Sequence, residues 1–419
     1  MAIKLLIDNP KQVKPIKLYL EDHNWLNKSF KIQKKNDIFH IFTNLNEIPS
    51  QLSQYNHETY EQEDDGDLNT KNKTTTLTLA SIITDYCHAN NIENIEIPKR
   101  WSIYPPMILF NSTGSTSESN GHPTSDTIFN PQHQKLWENV LSNQKSIFGT
   151  SEITHIALNK PIIESDIMRR PHNLIPIIGD FGPDISIDNK PPSPTESDFN
   201  RAFWCYVIQN GIYQTWAPKY TMFSRGNIKE KKRVLDWFKN LDQTIVFDFY
   251  CGIGYFSLSY LKNGGKLLCW ELNPWSIEGF RRSLEKMKIN YKIYTSGDKF
   301  SINDLNQFDA CLFLESNEQI TTRVIDQVKD NSLPISHINL GLLPSFKQSW
   351  TLANNLINKS TINTNVHIHE NVHIDDFEKI KTDVKKVFTN GKVLHLEKVK
   401  TFAPDIWHIV IDIENIKSC

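Results

Sequence analysis

Apolar and polar positions fall into two regimes along the chain. From Thr244 onward, short apolar runs alternate with amphipathic helical stretches: TIVFDFY, KLLCWEL, KIYTS, FDACLFLE, SHINLGLL, VHIHENV and WHIVIDIE. Runs that are apolar on both faces and separated by helices predict a mostly parallel sheet of seven strands, since such strands are covered on both sides. Asn273 as N-cap and Pro274 at the first helical position predict a helix over Pro274 to Lys288. Before Thr244 the pattern is broken by three polar stretches, at Gln51–Lys73, Asn111–Asp126 and Asp188–Asp198. The first holds the acidic block Glu61, Glu63, Asp64, Asp65 and Asp67 and reads as a solvated loop. The second reads as a flexible insertion, because its Ser, Thr, Gly and Asn bury too little to order themselves. The third couples prolines to helix-capping residues and marks the main boundary. The predicted organisation is an N-terminal region 1–127, a middle region 128–198, both small and α+β, and an α/β domain 199–419.

Composition narrows the class. Lys+Arg total 46 and Asp+Glu 48 in 419 residues, so a net charge of −2 excludes a globally basic nucleic-acid coat, and any RNA must meet a local patch. Six cysteines lie without CxxC spacing, the pattern of a reduced, metal-free protein. No apolar run approaches the roughly 20 residues of a membrane span, and MAIKLLIDNPKQVKP lacks a leader's apolar stretch. The expectation is a cytoplasmic protein without a membrane partner.

The segment Asp248-Phe-Tyr-Cys-Gly252-Ile-Gly254 follows an apolar strand and enters a helix. A glycine-rich strand-to-helix turn lets backbone approach a ligand. Glu271, 17 positions after Gly254 and at the end of the next strand, stands where an acid takes the ribose hydroxyls of an adenosine. Dinucleotide folds share this layout, but their third glycine is here Ser257. The D-x-x-x-G-x-G form, with Asp248 ahead of the loop, is the one used by class I S-adenosylmethionine enzymes, whose cofactor has no pyrophosphate to accommodate.

Several further segments are more specific than the fold: PKRWSIYPPMILF, THIALNKPI, GDFGP, GIYQTWAPKYTMFSRGNIKEKKR, CWELNPWSIEGFRRSL and INLGLLPS. Together they resemble the tRNA wybutosine-synthesizing protein 2 family in its fungal form, from about Pro98 onward. The resemblance implies a class I methyltransferase-like, Rossmann-type fold. It also implies transfer of the 3-amino-3-carboxypropyl group of S-adenosylmethionine to the 7-carbon of 4-demethylwyosine, at position 37 of phenylalanine tRNA. The family's cofactor contacts fall on Ser224, Lys231, Glu271, Asp298 and Lys299, the last where the family more usually has Asn. The loop Asn339–Ser345 is longer than the Asn-Leu-Pro turn of the related tRNA guanine-N1 methyltransferases and favours the transferase, with Asn339 lining the substrate. That methyltransferase activity and a catalytically idle RNA-binding scaffold are the alternatives.

Other constellations have plainer readings. Asn227 and Glu230 have capping-box spacing, and Lys231, Lys232 and Arg233 cannot all face one pocket at about 100° per residue. Glu315 and Glu318 are candidate proton acceptors, with surface helix capping the simpler role. His367, His369 and His373 read as a strand face rather than a metal site. Arg169–Arg170, Arg281–Arg282 and the run Lys379, Lys381, Lys385 and Lys386 are candidate phosphate contacts. Phe203, Trp204, Tyr206, Tyr213 and Trp216 are candidate base-stacking rings, most of them expected in the core.

Overall fold

The computed structural model describes residues 2–27, 30–60, 77–93, 95, 97–111, 128–161, 163, 166–184, 193–345 and 347–416. The acidic block at 61–67, most of the Asn111–Asp126 stretch and the first part of Asp188–Asp198 lie outside the described residues. By packing, the chain separates into two units, Met1–Thr75 and Thr76–Cys419. Of the finer seams expected, position 127 and residues 185–192 are not among those described.

In the first unit, β1 (Ala2–Ile7), α1 (Pro10–Asp22), β2 (Gln33–Lys35), β3 (Ile38–Phe42) and β4 (Asn56–Tyr60) form a four-stranded antiparallel sheet of order β2-β3-β1-β4 with one helix. Asn9 caps α1 by accepting from Lys11 N at 3.0 Å. Ile16 and Leu20 carry the helix onto Leu5, Ile7 and Ile41.

The second unit opens with α2 (Leu79–Ala89), β5 (Trp101–Tyr104), β6 (Met107–Asn111), α3 (Gln134–Ser142), α4 (Gln144–Phe148), β7 (His155–Asn159) and β8 (Ile175–Ile178). Its sheet runs β5-β6-β7-β8 around Phe110, Phe129 and Trp137. Then come α5 (Glu196–Arg201), opened by a Thr195–Asp198 capping box, and the hairpin β9 (Cys205–Gln209) and β10 (Ile212–Trp216).

The remaining elements are α6 (Ile228–Trp237), β11 (Ile245–Asp248), α7 (Ser257–Lys262), β12 (Lys266–Glu271), α8 (Pro274–Lys286), β13 (Tyr291–Tyr294), β14 (Ala310–Leu314), β15 (Ile335–Leu340), α9 (Gln348–Ile357), β16 (Thr364–His373), α10 (Phe377–Val387), β17 (Gly391–Ala403) and β18 (Ile406–Asn415). They build one sheet of order β13-β14-β12-β11-β15-β16-β18-β17, parallel as far as β16 and antiparallel beyond. All seven expected runs are strands of it. The eighth strand, β17, escaped the pattern because it lies at the sheet edge and its register shifts at three places, which breaks a period of two. Leu235, Leu258, Ile277 and Phe280 pack helices α6, α7 and α8 on one face, over Val246, Leu267 and Leu312. Trp350, Ala353, Ile380 and Val384 pack α9 and α10 on the other, over Phe247, Trp270, Ile338 and Ile411. Asn273 caps α8 as expected, accepting from Trp275 N at 3.0 Å. Among the described residues no helix is long and apolar enough to cross a membrane.

Candidate functional site

The site begins at the carboxyl end of β11, where a parallel sheet leaves a crevice. Asp248, the last residue of the strand, is buried and faces inward. Its carboxylate accepts from Ser257 Oγ at 2.6 Å, Asn339 Nδ2 at 3.0 Å and Tyr250 N at 3.3 Å, and burial raises its pKa. It therefore braces the loop from within, on α7 and β15, rather than facing a ligand. Gly252 and Gly254 follow at φ +55° and +80°, a left-handed backbone that tolerates few side chains. A Cβ on Gly254 would also meet the Phe280 ring at 2.6 Å. The turn is thus locked, with Gly252 N pointing at Glu271.

Glu271 ends β12. One carboxylate oxygen accepts from Gly252 N at 3.0 Å and the other from Asn273 N at 2.8 Å. With the Leu272 N–H also acting on it, the carboxylate retains acceptor capacity for a donor in the adjoining cleft. Burial pushes the Glu271 carboxyl up to about 6, against the pull of these backbone donors.

That cleft, of about 600 Å³, is lined by Glu271 and Gly252, by Ser224 and Asn227 before α6, by Tyr255, by Arg169, by the Gly341–Leu343 loop and by Lys400 and Phe402 of β17. The Tyr255 hydroxyl donates to the Met222 carbonyl, and the Arg169 guanidinium donates to the Leu343 carbonyl. Ser224 faces the cleft as the sequence suggested. Lys231 stands behind its wall: Nζ donates to Gln214 Oε1 at 2.7 Å and Gln209 Oε1 at 3.2 Å and lies 4.7 Å and 5.3 Å from the Phe223 and Tyr255 ring centres. Burial lowers this amine to about 7. Asn227 is the residue before α6, but its side chain makes no capping bond and Glu230 binds Arg233 instead, so the expected capping box is absent. Instead, the Asn227 side chain is 8% exposed and its Oδ1 accepts no hydrogen bond.

A second cleft of about 620 Å³ adjoins the first and shares Glu315 and Ser316 with it. Asp298 and Lys299 line it. The Asp298 carboxylate accepts from Thr295 N at 2.7 Å and Thr295 Oγ1 at 2.8 Å, bonds that hold its pKa below the usual range and fix the turn. Glu315 is no free base: it pairs with Arg323 at 2.8 Å, both largely buried. Its neighbour Ser316 caps the turn that carries Glu318. Asn339 lies at the root of the Gly341–Leu343 loop, its amide bound to Asp248 and its Oδ1 buried without a donor.

The remaining candidates resolve into structure. Of the basic triplet, Lys231 and Arg233 are buried and Lys232 is exposed, paired with Asp236 at 2.6 Å. Arg281 and Arg282 both bind Glu278, at 2.6 and 2.7 Å, and Arg170 binds Asp166 at 2.9 Å. Lys381 and Lys386 pair with Glu378 and Asp383 on the surface of α10. His367 and His369 do share a strand face. His367 bridges His337 at 2.8 Å and Asp412 at 2.7 Å, and His369 meets His408 at 3.0 Å. Phe203 and Trp216 are core, Trp204 sits under Arg282 at 4.1 Å, and Tyr206 stacks on Tyr213. Tyr255, Lys400 and Phe402 were not singled out from sequence, and Asn227 was read there only as a helix cap; no sequence signal marked Lys400 or Phe402.

A family model described as the TRM5/TYW2 methyltransferase domain matches residues 207–334. The chain is 35% identical to tRNA wybutosine-synthesizing protein 2 of Saccharomyces cerevisiae, covering 100% of this chain and 99% of that protein. It is 38% identical to the protein of the same name from Schizosaccharomyces pombe, over 77% of this chain and 74% of that one. Among solved structures, P. horikoshii TYW2 in complex with MeSAdo matches 81% of this chain and 98% of its own at a TM-score of 0.51 and 15% identity. A complex of aTrm5 and tRNALeu matches 99% of both chains at 0.51 and 16%. At such identities the two structures speak for the fold.

Proposed function

Because the chain belongs to the tRNA wybutosine-synthesizing protein 2 family, we propose that it transfers the 3-amino-3-carboxypropyl group of S-adenosylmethionine to the 7-carbon of 4-demethylwyosine. The acceptor is position 37 of phenylalanine tRNA, and 5′-methylthioadenosine is released. The observation that carries the reading is the cleft itself, in which a locked glycine turn and a carboxylate with outward lone pairs stand side by side. These residues fit the cofactor: Gly252 admits it closely in a turn that Gly254 holds against Phe280, Glu271 takes ribose hydroxyls, Ser224 brings a hydroxyl to the cleft and Asn227 an unused amide oxygen. Asp298 and Lys299, in the adjoining cleft beyond Glu315 and Ser316, suit the adenine end. Lys231 then supports the wall by holding Gln214 and the Tyr255 ring.

When bound, the sulfonium supplies an activated carbon with a neutral leaving group. The protein's share is alignment and exclusion of water, because the acceptor ring is already electron-rich. Ile167 and Phe402, 73% and 53% exposed at the cleft mouth, give a flat tricyclic base an apolar surface. Asn339 acts on this step through Asp248 and the loop it anchors. The division into regions 1–127, 128–198 and 199–419 belongs to the same proposal, with the middle region supplying Arg169 to the cleft.

Mass spectrometry of the nucleoside after incubation with S-adenosylmethionine and precursor tRNA tests the reading. An aminocarboxypropyl gain with methylthioadenosine is expected; a methyl gain with S-adenosylhomocysteine would make it a methyltransferase, and no gain would leave a scaffold.

A further inference from the structure

Lys400 lies 176 residues from Ser224 in the chain, yet its Nζ donates to Ser224 Oγ at 3.4 Å. The stem of Lys400 crosses the Ser224–Asn227 turn so closely that a Cβ on Gly226 would meet Lys400 Cδ at 2.5 Å and Nζ at 2.9 Å. A side chain at position 226 would push this lysine aside, and the glycine leaves it room at the turn. Among the described residues no carboxylate pairs with the Lys400 ammonium, which is half-buried. A cation held partly out of water is costly unless an anion joins it. On the same turn, the buried Asn227 carbonyl oxygen faces the opposite deficit, an acceptor without a donor, and its residue lines the same cleft.

A cationic donor, a hydroxyl and a bare amide oxygen around one turn are the complement of a zwitterion. We propose that Lys400, with Ser224 and Asn227, receives the α-amino-acid end of S-adenosylmethionine, with the lysine and the serine on its carboxylate and the amide oxygen on its ammonium. Lys400 is thereby a positioning residue: it fixes the chain that is to be transferred before attack, so that fewer rotors remain to be ordered in the reaction step. The inference rests on the cofactor reading above. The alternative anion of like chemistry is a backbone phosphate of the tRNA.

Calorimetry on the full chain separates these. S-adenosylmethionine, S-adenosylhomocysteine and 5′-methylthioadenosine are titrated into the native protein, Lys400→Met and Lys400→Arg. The first two ligands carry the amino acid and the third does not. Loss of one charge-assisted contact weakens binding of the first two by about tenfold to a hundredfold in Lys400→Met. Methylthioadenosine affinity stays unchanged, which also reports an intact cleft, and Lys400→Arg recovers part of the loss. Equal weakening of all three ligands would overturn the proposal, since the damage would then be general. Unchanged S-adenosylmethionine affinity with weakened tRNA binding would assign the anion to phosphate and overturn it too. Failure of the native protein to bind any of the three would remove the cofactor reading itself, and this inference with it.

Discussion

Two glycines that each follow a strand of the large sheet differ in what the structure asks of them. Gly254 has φ +80° with the Phe280 ring 2.6 Å from where a Cβ would stand, whereas Gly297 has nothing within 4 Å. Gly254→Ala is expected to cost about 2–4 kcal/mol from strain and overpacking together, and Gly297→Ala to change stability by less than about 0.5 kcal/mol. Urea denaturation of the two variants decides, and equal midpoints would refute the locked turn. Glu271 gives a second test at this scale. Its carboxyl, raised to about 6 by burial, is ionised above that pH and neutral below it. Ribose hydroxyls donate best to the ionised form, so S-adenosylmethionine affinity should fall as pH drops from 7.5 to 5.5. Glu271→Gln should bind about tenfold more weakly at pH 7.5, with a flatter profile; parallel profiles for the two proteins would argue against the ribose contact.

Helix α6 and strand β18 are joined by charge. Arg233, 7% exposed, donates to Glu230 at 2.6 and 2.8 Å and to both oxygens of Asp412, which also binds His367. Arg233→Met leaves two buried carboxylates without their cation and should cost about 3–5 kcal/mol. Chemical denaturation measures this, and a loss below 1 kcal/mol would mean that water reaches the pair. At the element scale the sequence was most readable where burial is complete. Val246, Phe247, Leu267 and Leu268 are covered on both faces, so their strands show as unbroken apolar runs. β17 mixes Lys392, Glu397, Lys398 and Lys400 into a bulged edge, and no local pattern announces it. The same division holds for the site. The glycine turn and Glu271 belong to one strand-turn-helix-strand unit and are legible together. The pairing of Lys400 with Ser224 depends on how a sheet edge folds over a distant turn.

The cleft draws on residues from Ile167 to Phe402, all within the unit Thr76–Cys419, which has its own apolar cores. A fragment comprising 76–419 should therefore fold and bind S-adenosylmethionine within about twofold of the full chain, a difference of under about 0.5 kcal/mol. Calorimetry on the fragment checks this; a fragment that folds without binding would refute the assignment of the whole cofactor site to this unit.

The order of the last three strands sets a constraint on how the molecule is made. β18 follows β17 in the chain yet lies between it and β16. While a ribosome is still adding residue 405, β17 has no neighbour to pair with, and Lys400 has no frame to hold it over Ser224. Only when the strand after it has emerged does the edge close and the cleft gain that wall. A message cut short just after Ala403 would thus yield a chain with its glycine turn and Glu271 encoded in full and one side of its binding site unsupported.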